Sequence, residues 1–201
     1  MGRHCIFHRE PAAFLLNYGH IPPGSVLLVR SLFDAGGKSV SALQSFIFEE
    51  EIHSLWSHVG IVDTHHRVWD IMPALMVRQL SFSEFLEGVD LLAVRSLEVA
   101  LSDGWLLQAH IEDQAQSQYP SFAQADVIAA FIKMMVRSDT LPIRFQHNEL
   151  ICSTFVDRIL RLVSGSEILP DDRPPLVLPA HFARSTAFRD VPMADRICRI
   201  A

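Results

Sequence analysis

Apolar residues along this chain fall into two patterns: short, nearly continuous runs in the first half and longer stretches at helical spacing in the second. Ser25-Val26-Leu27-Leu28-Val29-Arg30 follows the turn residues Pro22-Pro23-Gly24 and reads as a buried strand. Ser57 to Asp63 and Arg67 to Met72 form a predicted strand pair around Thr64-His65-His66. Pro73 ends it, since a proline has no N–H to give a central ladder. Ser81-Phe82-Ser83-Glu84 is a capping box opening a short helix to Leu86, Gly88 closes that helix, and Val89 to Arg95 is a further apolar strand.

Helical spacing then takes over. Val40, Leu43 and Ile47 already share a face between Ser39 and Glu51, after the flexible Ala35-Gly36-Gly37-Lys38. Asp103 to Gln116 reads as a helix. A second capping box, Ser121-Phe122-Ala123-Gln124, precedes Ala125, Ile128, Ala129, Ile132, Met135 and Val136. A last helix has Asn148 as its N-cap and a buried stripe of Phe155, Ile159 and Leu162, flanked by Val156, Leu160 and Val163. Prolines at 170, 174, 175 and 179 predict an irregular tail that wraps the surface. Strands first and helices later point to an α+β fold rather than a doubly wound sheet. The first 21 residues are expected to be an arm, with at most a short helix over Ala12 to Tyr18, and residues 191–201 a tail.

Composition narrows the function classes. At 201 residues, 49% hydrophobic, the chain can bury the core of one globular domain. A net charge of −6 with no basic run argues against nucleic acid as a partner. Three cysteines (Cys5, Cys152, Cys198) without paired spacing do not make a disulfide framework, and neither CxxC nor zinc-ligand spacing occurs, so no cofactor or metal is expected. The N-terminus lacks the apolar core and cleavage site of a signal peptide, and no apolar run is long enough for a transmembrane segment. The expectation is a soluble protein, cytoplasmic by default, with signal-independent export left open.

Two residues stand in contexts that suit thiol chemistry. Cys152 lies near the start of an amphipathic helix, where unpaired N–H groups and the helix dipole favour an anion. His58 opens an apolar strand, with Gly60 two residues on and leaving room for a backbone or a substrate. The plain alternatives are a core cysteine and a core histidine bonded to a backbone carbonyl. Of the other histidines, His65 and His66 belong to a turn, while His53 and His147 are possible helpers. Asp70 is the candidate to orient the imidazole. If Thr64-His65-His66 is a three-residue loop, Asp70 is a diagonal neighbour of His58. A two-residue loop would put Trp69 there instead and remove Asp70 from the argument; the plain alternative for Asp70 is a strand-end carboxylate facing water.

The segment Ser57-His58-Val59-Gly60-Ile61-Val62, an acidic residue in the following strand, and a later helix opening on Cys152-Ser153 together resemble the circularly permuted branch of the NlpC-like cysteine peptidases. That branch includes YiiX-like proteins and, more distantly, lecithin:retinol acyltransferase-like enzymes. Pro23 to Arg30 is similar to its opening strand, and Leu178-Pro179-Ala180-His181-Phe182-Ala183-Arg184-Ser185 to its C-terminal segment. The resemblance spans roughly residues 22–190, with Ser121–His147 as a possible inserted helix. It implies a papain-like antiparallel sheet packed against helices, Cys152 as nucleophile, His58 as general base and acid, and Asp70 as the orienting group. The reaction implied is hydrolysis or acyl transfer on a peptide-, amide- or lipid-like substrate through a thioester. Two other readings stay open: a lipid- or peptide-binding module on the same fold, and a structural protein in which Cys152 and His58 never meet.

Overall fold

The computed structural model describes residues 7–8, 20–31, 41, 44–45, 55–72, 77–98, 101, 103–116, 151–169 and 177–191. Its strands are β1 (Phe7–His8), β2 (Val26–Ser31), β3 (His58–Val62), β4 (Val68–Ile71), β5 (Val77–Leu80), β6 (Val89–Leu97) and β7 (Phe188–Asp190). Its helices are α1 (Phe82–Phe85), α2 (Gly104–Gln116), α3 (Cys152–Ser164) and α4 (Pro179–Arg184). The strands form one antiparallel sheet in the order β1-β6-β2-β3-β4-β5, and β7 pairs with a further stretch of β6. This is the α+β class that the pattern predicts.

Central β2 explains its own sequence. Val26, Leu28, Val59 and Ile61 face a cluster built with Leu107 and Ile111 of α2, Phe155, Val156, Ile159 and Leu160 of α3, and Phe182 of α4. Leu27, Val29 and Val62 face a second cluster with Phe82 and Phe85 of α1. A strand covered on both faces needs apolar residues at every position, hence a continuous run rather than an alternation. The turn before it is also as read: the N–H of Ser25 donates to Pro22 O at 3.1 Å, and Gly24, at φ +80°, supplies the left-handed residue such a turn requires.

The capping box at Ser81 forms as expected, with Glu84 N–H donating to Ser81 Oγ and Ser81 N–H to the Glu84 carboxylate. Five details differ from the sequence reading. The cap of α3 is Ile151, which makes Cys152 the first helical residue; Asn148 lies outside the described residues. Leu162 is 43% exposed, so the buried stripe of α3 stops at Leu160 with Val163 half-covered. The predicted tail contributes α4 and β7, and Phe7–His8 of the expected arm pairs with Leu91 and Leu92 of β6. Strand β5 follows β4 where only a strand end was expected. Ala12–Tyr18 and Ser121–His147 lie outside the described residues, as does most of Ser39–Glu51. No described helix is long and apolar enough to cross a membrane.

Candidate active site

The β3–β4 hairpin fixes the geometry. Ile61 pairs with Trp69 and Val62 with Val68, and the N–H of Asp63 donates to Arg67 O, leaving Thr64, His65 and His66 as a three-residue loop. His66 takes φ +54°, the left-handed residue that closes loops of this length. The buried Asp63 carboxylate organises the turn by accepting from His65 N–H and Arg67 N–H, both at 2.8 Å, from Trp69 Nε1 at 2.7 Å and from Gln79 Nε2 at 3.0 Å. His65 and His66 themselves are exposed, as a solvated turn should be.

This register sets Asp70 beside His58. His58 Nε2 donates to Asp70 Oδ2 at 2.8 Å, with the carboxylate fully buried and the imidazole 12% exposed. A water-facing carboxylate is therefore not what the strand presents. A carboxylate can only accept, so the proton on Nε2 is fixed and Nδ1 of the neutral ring is left as the basic nitrogen. Burial alone would lower the ring's pKa. The charge of Cys152, its side-chain interaction with the ring and the Asp70 carboxylate outweigh burial and push it from 6.5 up to about 10. Burial would likewise raise Asp70, but its bonds to His58 and Arg78 hold it below the usual carboxylate range.

Cys152 arrives from the other side of the sheet. It is a buried, free thiol on the first residue of α3, which packs against β3 and β4. The strand start is secured by Ser57 N–H on Val29 O, and the helix start by Ile151 N–H on Thr154 Oγ1 at 2.9 Å and by Ser153 Oγ on Val177 O at 2.7 Å. Side-chain alternation places His58 with Gly60 and Val62 on the α1 face, opposite to α3. Both reactive groups are end residues of their elements, and the Cys152 side chain interacts with the His58 ring. The structure thus brings Cys152, His58 and Asp70 together. Cys5, Cys198, His53 and His147 lie outside the described residues.

Two neighbours were not anticipated. The ring of Phe85 lies 5.8 Å from that of His58, tilted by 35°. It occupies the space that the sequence reading reserved above Gly60 for a backbone or a substrate: a Cβ on Gly60 would come within 2.9 Å of Phe85 Cε2 and 2.7 Å of Val68 Cγ1. The second is Arg78 of β5, bonded to Asp70 through Nε at 2.7 Å and Nη2 at 2.9 Å. An acidic residue on one strand with a basic one directly across is a readable signal once the strand between Pro73 and Ser81 is recognised.

The same architecture is found in a solved structure. The chain matches the crystal structure of metalloprotein yiiX from Escherichia coli O157:H7 with a TM-score of 0.53 over 86% of this chain and 97% of that one. The two share a fold. Their sequences are 13% identical, so the likeness bears on the fold alone. No family model matches the sequence, and no curated protein does.

Proposed function

We propose that this protein is a cysteine-dependent hydrolase or acyltransferase, acting on an amide or ester through a thioester at Cys152, on a permuted papain-like fold. The observation that carries this reading is the row Cys152–His58–Asp70, in which the imidazole donates from Nε2 to a buried carboxylate and interacts electrostatically with the Cys152 side chain. An imidazolium beside a thiol on the first residue of a helix favours the thiolate, the form that attacks.

In the proposed reaction the Cys152 sulfur adds to the substrate carbonyl carbon, and the carbonyl electron pair moves onto oxygen. The N–H of Cys152, in the first turn where intrahelical acceptors are lacking, faces that charge. As the tetrahedral intermediate collapses, the leaving nitrogen or oxygen takes the proton from His58 Nδ1, giving the thioester. Water, or another acceptor, then loses a proton to Nδ1, adds to the thioester and releases Cys152. Asp70 keeps Nε2 protonated throughout and holds the ring's direction.

The name of yiiX raises the question of a metal, which the donor set here answers poorly. Both oxygens of Asp70 are committed to His58 and Arg78, so the site offers His58 Nδ1 and the Cys152 sulfur. Catalytic zinc takes three protein ligands. Among the described residues no group of three or more His, Cys, Asp or Glu could hold an ion. The described residues at this site do not fit a catalytic metal.

The burial of Cys152, at 5% exposure, leaves one other reading, a module on the same fold that binds a lipid or peptide without turnover. Incubation with an activated ester separates the two. A hydrolase gives an acyl adduct on Cys152 in the peptide mass spectrum, released with time and absent from His58→Ala. A thiol that alkylates but never acylates supports the binding module, and an inert Cys152 sinks the hydrolase reading.

A further inference from the structure

Asp70 is held from two strands. On one side it meets His58 of β3, and directly across the ladder stands Arg78 of β5. The guanidinium forks onto the carboxylate, Nε to Oδ1 at 2.7 Å and Nη2 to Oδ2 at 2.9 Å. Two parallel bonds fix the plane of a carboxylate as one cannot. Oδ2 therefore has Nη2 on one side and His58 Nε2 on the other, the latter at 2.8 Å.

We propose that Arg78 is a positioning residue of the Cys152 site: its two-point hold on Asp70 aims Oδ2 at His58 Nε2 and thereby directs Nδ1 toward Cys152. The inference rests on the thiol reading above and adds a residue to it. Three features separate it from an ordinary ion pair. Exposed pairs contribute little, but here the carboxylate is wholly buried while the Arg78 side chain is 35% exposed, so the guanidinium forms the solvent side of a buried anion. A guanidinium cannot give up its proton, so it fixes Asp70 without competing in proton transfer. The imidazole then carries the mobile proton of the row. Finally, the fork demands arginine: a lysine supplies a point charge with no control over the carboxylate plane.

The test reads the thiol and needs no substrate. Alkylation of Cys152 by iodoacetamide is followed by peptide mass spectrometry from mildly acidic to mildly basic pH. The proteins are wild type, His58→Ala, Arg78→Ala, Arg78→Lys, Asp70→Asn and the double variant Asp70→Asn/Arg78→Ala. Without Arg78 the buried carboxylate takes a proton more readily and turns away, so the acidic limb of the Arg78→Ala profile should move up by about one pH unit. Alkylation at a fixed acidic pH then slows roughly tenfold. Arg78→Lys should fall between the two. In the Asp70→Asn background the loss of Arg78 should change nothing further, because it acts through Asp70.

A wild-type profile in Arg78→Ala overturns the proposal, as does full rescue by lysine or an undiminished effect in the Asp70→Asn background. Should Arg78→Ala fail to melt cooperatively, Arg78→Lys and Arg78→Gln carry the same comparison, and wild-type profiles in both refute it. If wild-type Cys152 reacts like Cys5 and Cys198, or ignores His58→Ala, the thiol reading itself has failed. A profile that depends on His58 but not on Arg78 removes Arg78 alone.

Discussion

At His58 several neighbours act on one proton, and their balance has a thermodynamic signature. The ring titrates near 6.5 when unfolded and at about 10 when folded, because the Cys152 charge and the Asp70 carboxylate outweigh the cost of burial. A raised pKa means that the folded state holds the proton more tightly. The stabilisation is therefore complete below about pH 6.5 and disappears as pH rises toward 10. Asp70 works in the opposite sense: its carboxyl, held below the usual range, adds stability above that range and loses it as pH falls through its folded pKa. The melting temperatures of wild type and His58→Gln should accordingly differ most in the mildly acidic range and converge toward pH 10. A constant gap across that interval would mean that the imidazolium is not held as the geometry indicates. Cys152, His58 and Asp70 were all legible in the sequence, since each stands in a motif or at a countable strand position. Arg78 and Phe85 were not, because each acts through a partner whose register had first to be known.

One carboxylate decides which side chains the β3–β4 hairpin presents. Sequence counting left two registers open, with Asp70 or Trp69 beside His58, and nothing in the alternation of apolar residues distinguishes them. Asp63 does. Its oxygens collect the N–H groups of His65 and Arg67 inside the turn and the Trp69 indole and Gln79 amide beyond it, so the three-residue loop satisfies four donors at once. An aspartate bonding the N–H two residues on is a recognised turn former, and at position 63 it was a readable cue that the strand boundary obscured. Replacing Asp63 by Ala leaves these donors without their acceptor. The expected cost is at least about 2 kcal/mol in urea unfolding, given roughly 1–3 kcal/mol for each buried group left unpaired. Amide exchange at Arg67 should accelerate with it. If the register slips, Asp70 leaves His58, and Cys152 alkylation in Asp63→Ala should lose its dependence on His58. Unchanged stability would show that the loop is set by its backbone alone. Strand β5 escaped the sequence reading for a related reason: four residues, half-covered and next to a capping box, carry too little periodicity to announce a strand.

Across the whole molecule, the site depends on segments far apart in sequence, and Arg95 ties the last of them down. From β6 its guanidinium donates to the carbonyl oxygens of Phe182 (2.7 Å) and Ala183 at the end of α4 and of Phe188 (2.7 Å) at the start of β7, while Nε faces Asp190 at 3.1 Å. The same C-terminal segment accepts Ser153 Oγ at Val177 O and gives Ala180 N–H to Gln44 at 2.9 Å, next to the reactive ends of α3 and β3. Prolines marked this stretch as irregular, yet Pro179 sits at the first helical position, where a missing N–H costs nothing. What makes it ordered is a buried cation some 90 residues earlier, a partnership no local pattern reveals. Arg95→Met keeps the apolar stem and removes the charge, taking the Arg95 guanidinium away from Asp190 and its N–H donors away from those carbonyls. Breaking a buried pair from one side costs about 3–5 kcal/mol, which should appear as a lower urea midpoint. Hydrogen exchange tells where that loss acts. If Arg95 is a staple for the C-terminal segment, amides of Phe188 to Asp190 and of α4 exchange faster while those of His58 to Val62 keep their protection. Equal acceleration throughout would instead make Arg95 part of the global core, with α4 and β7 unfolding only when the sheet does.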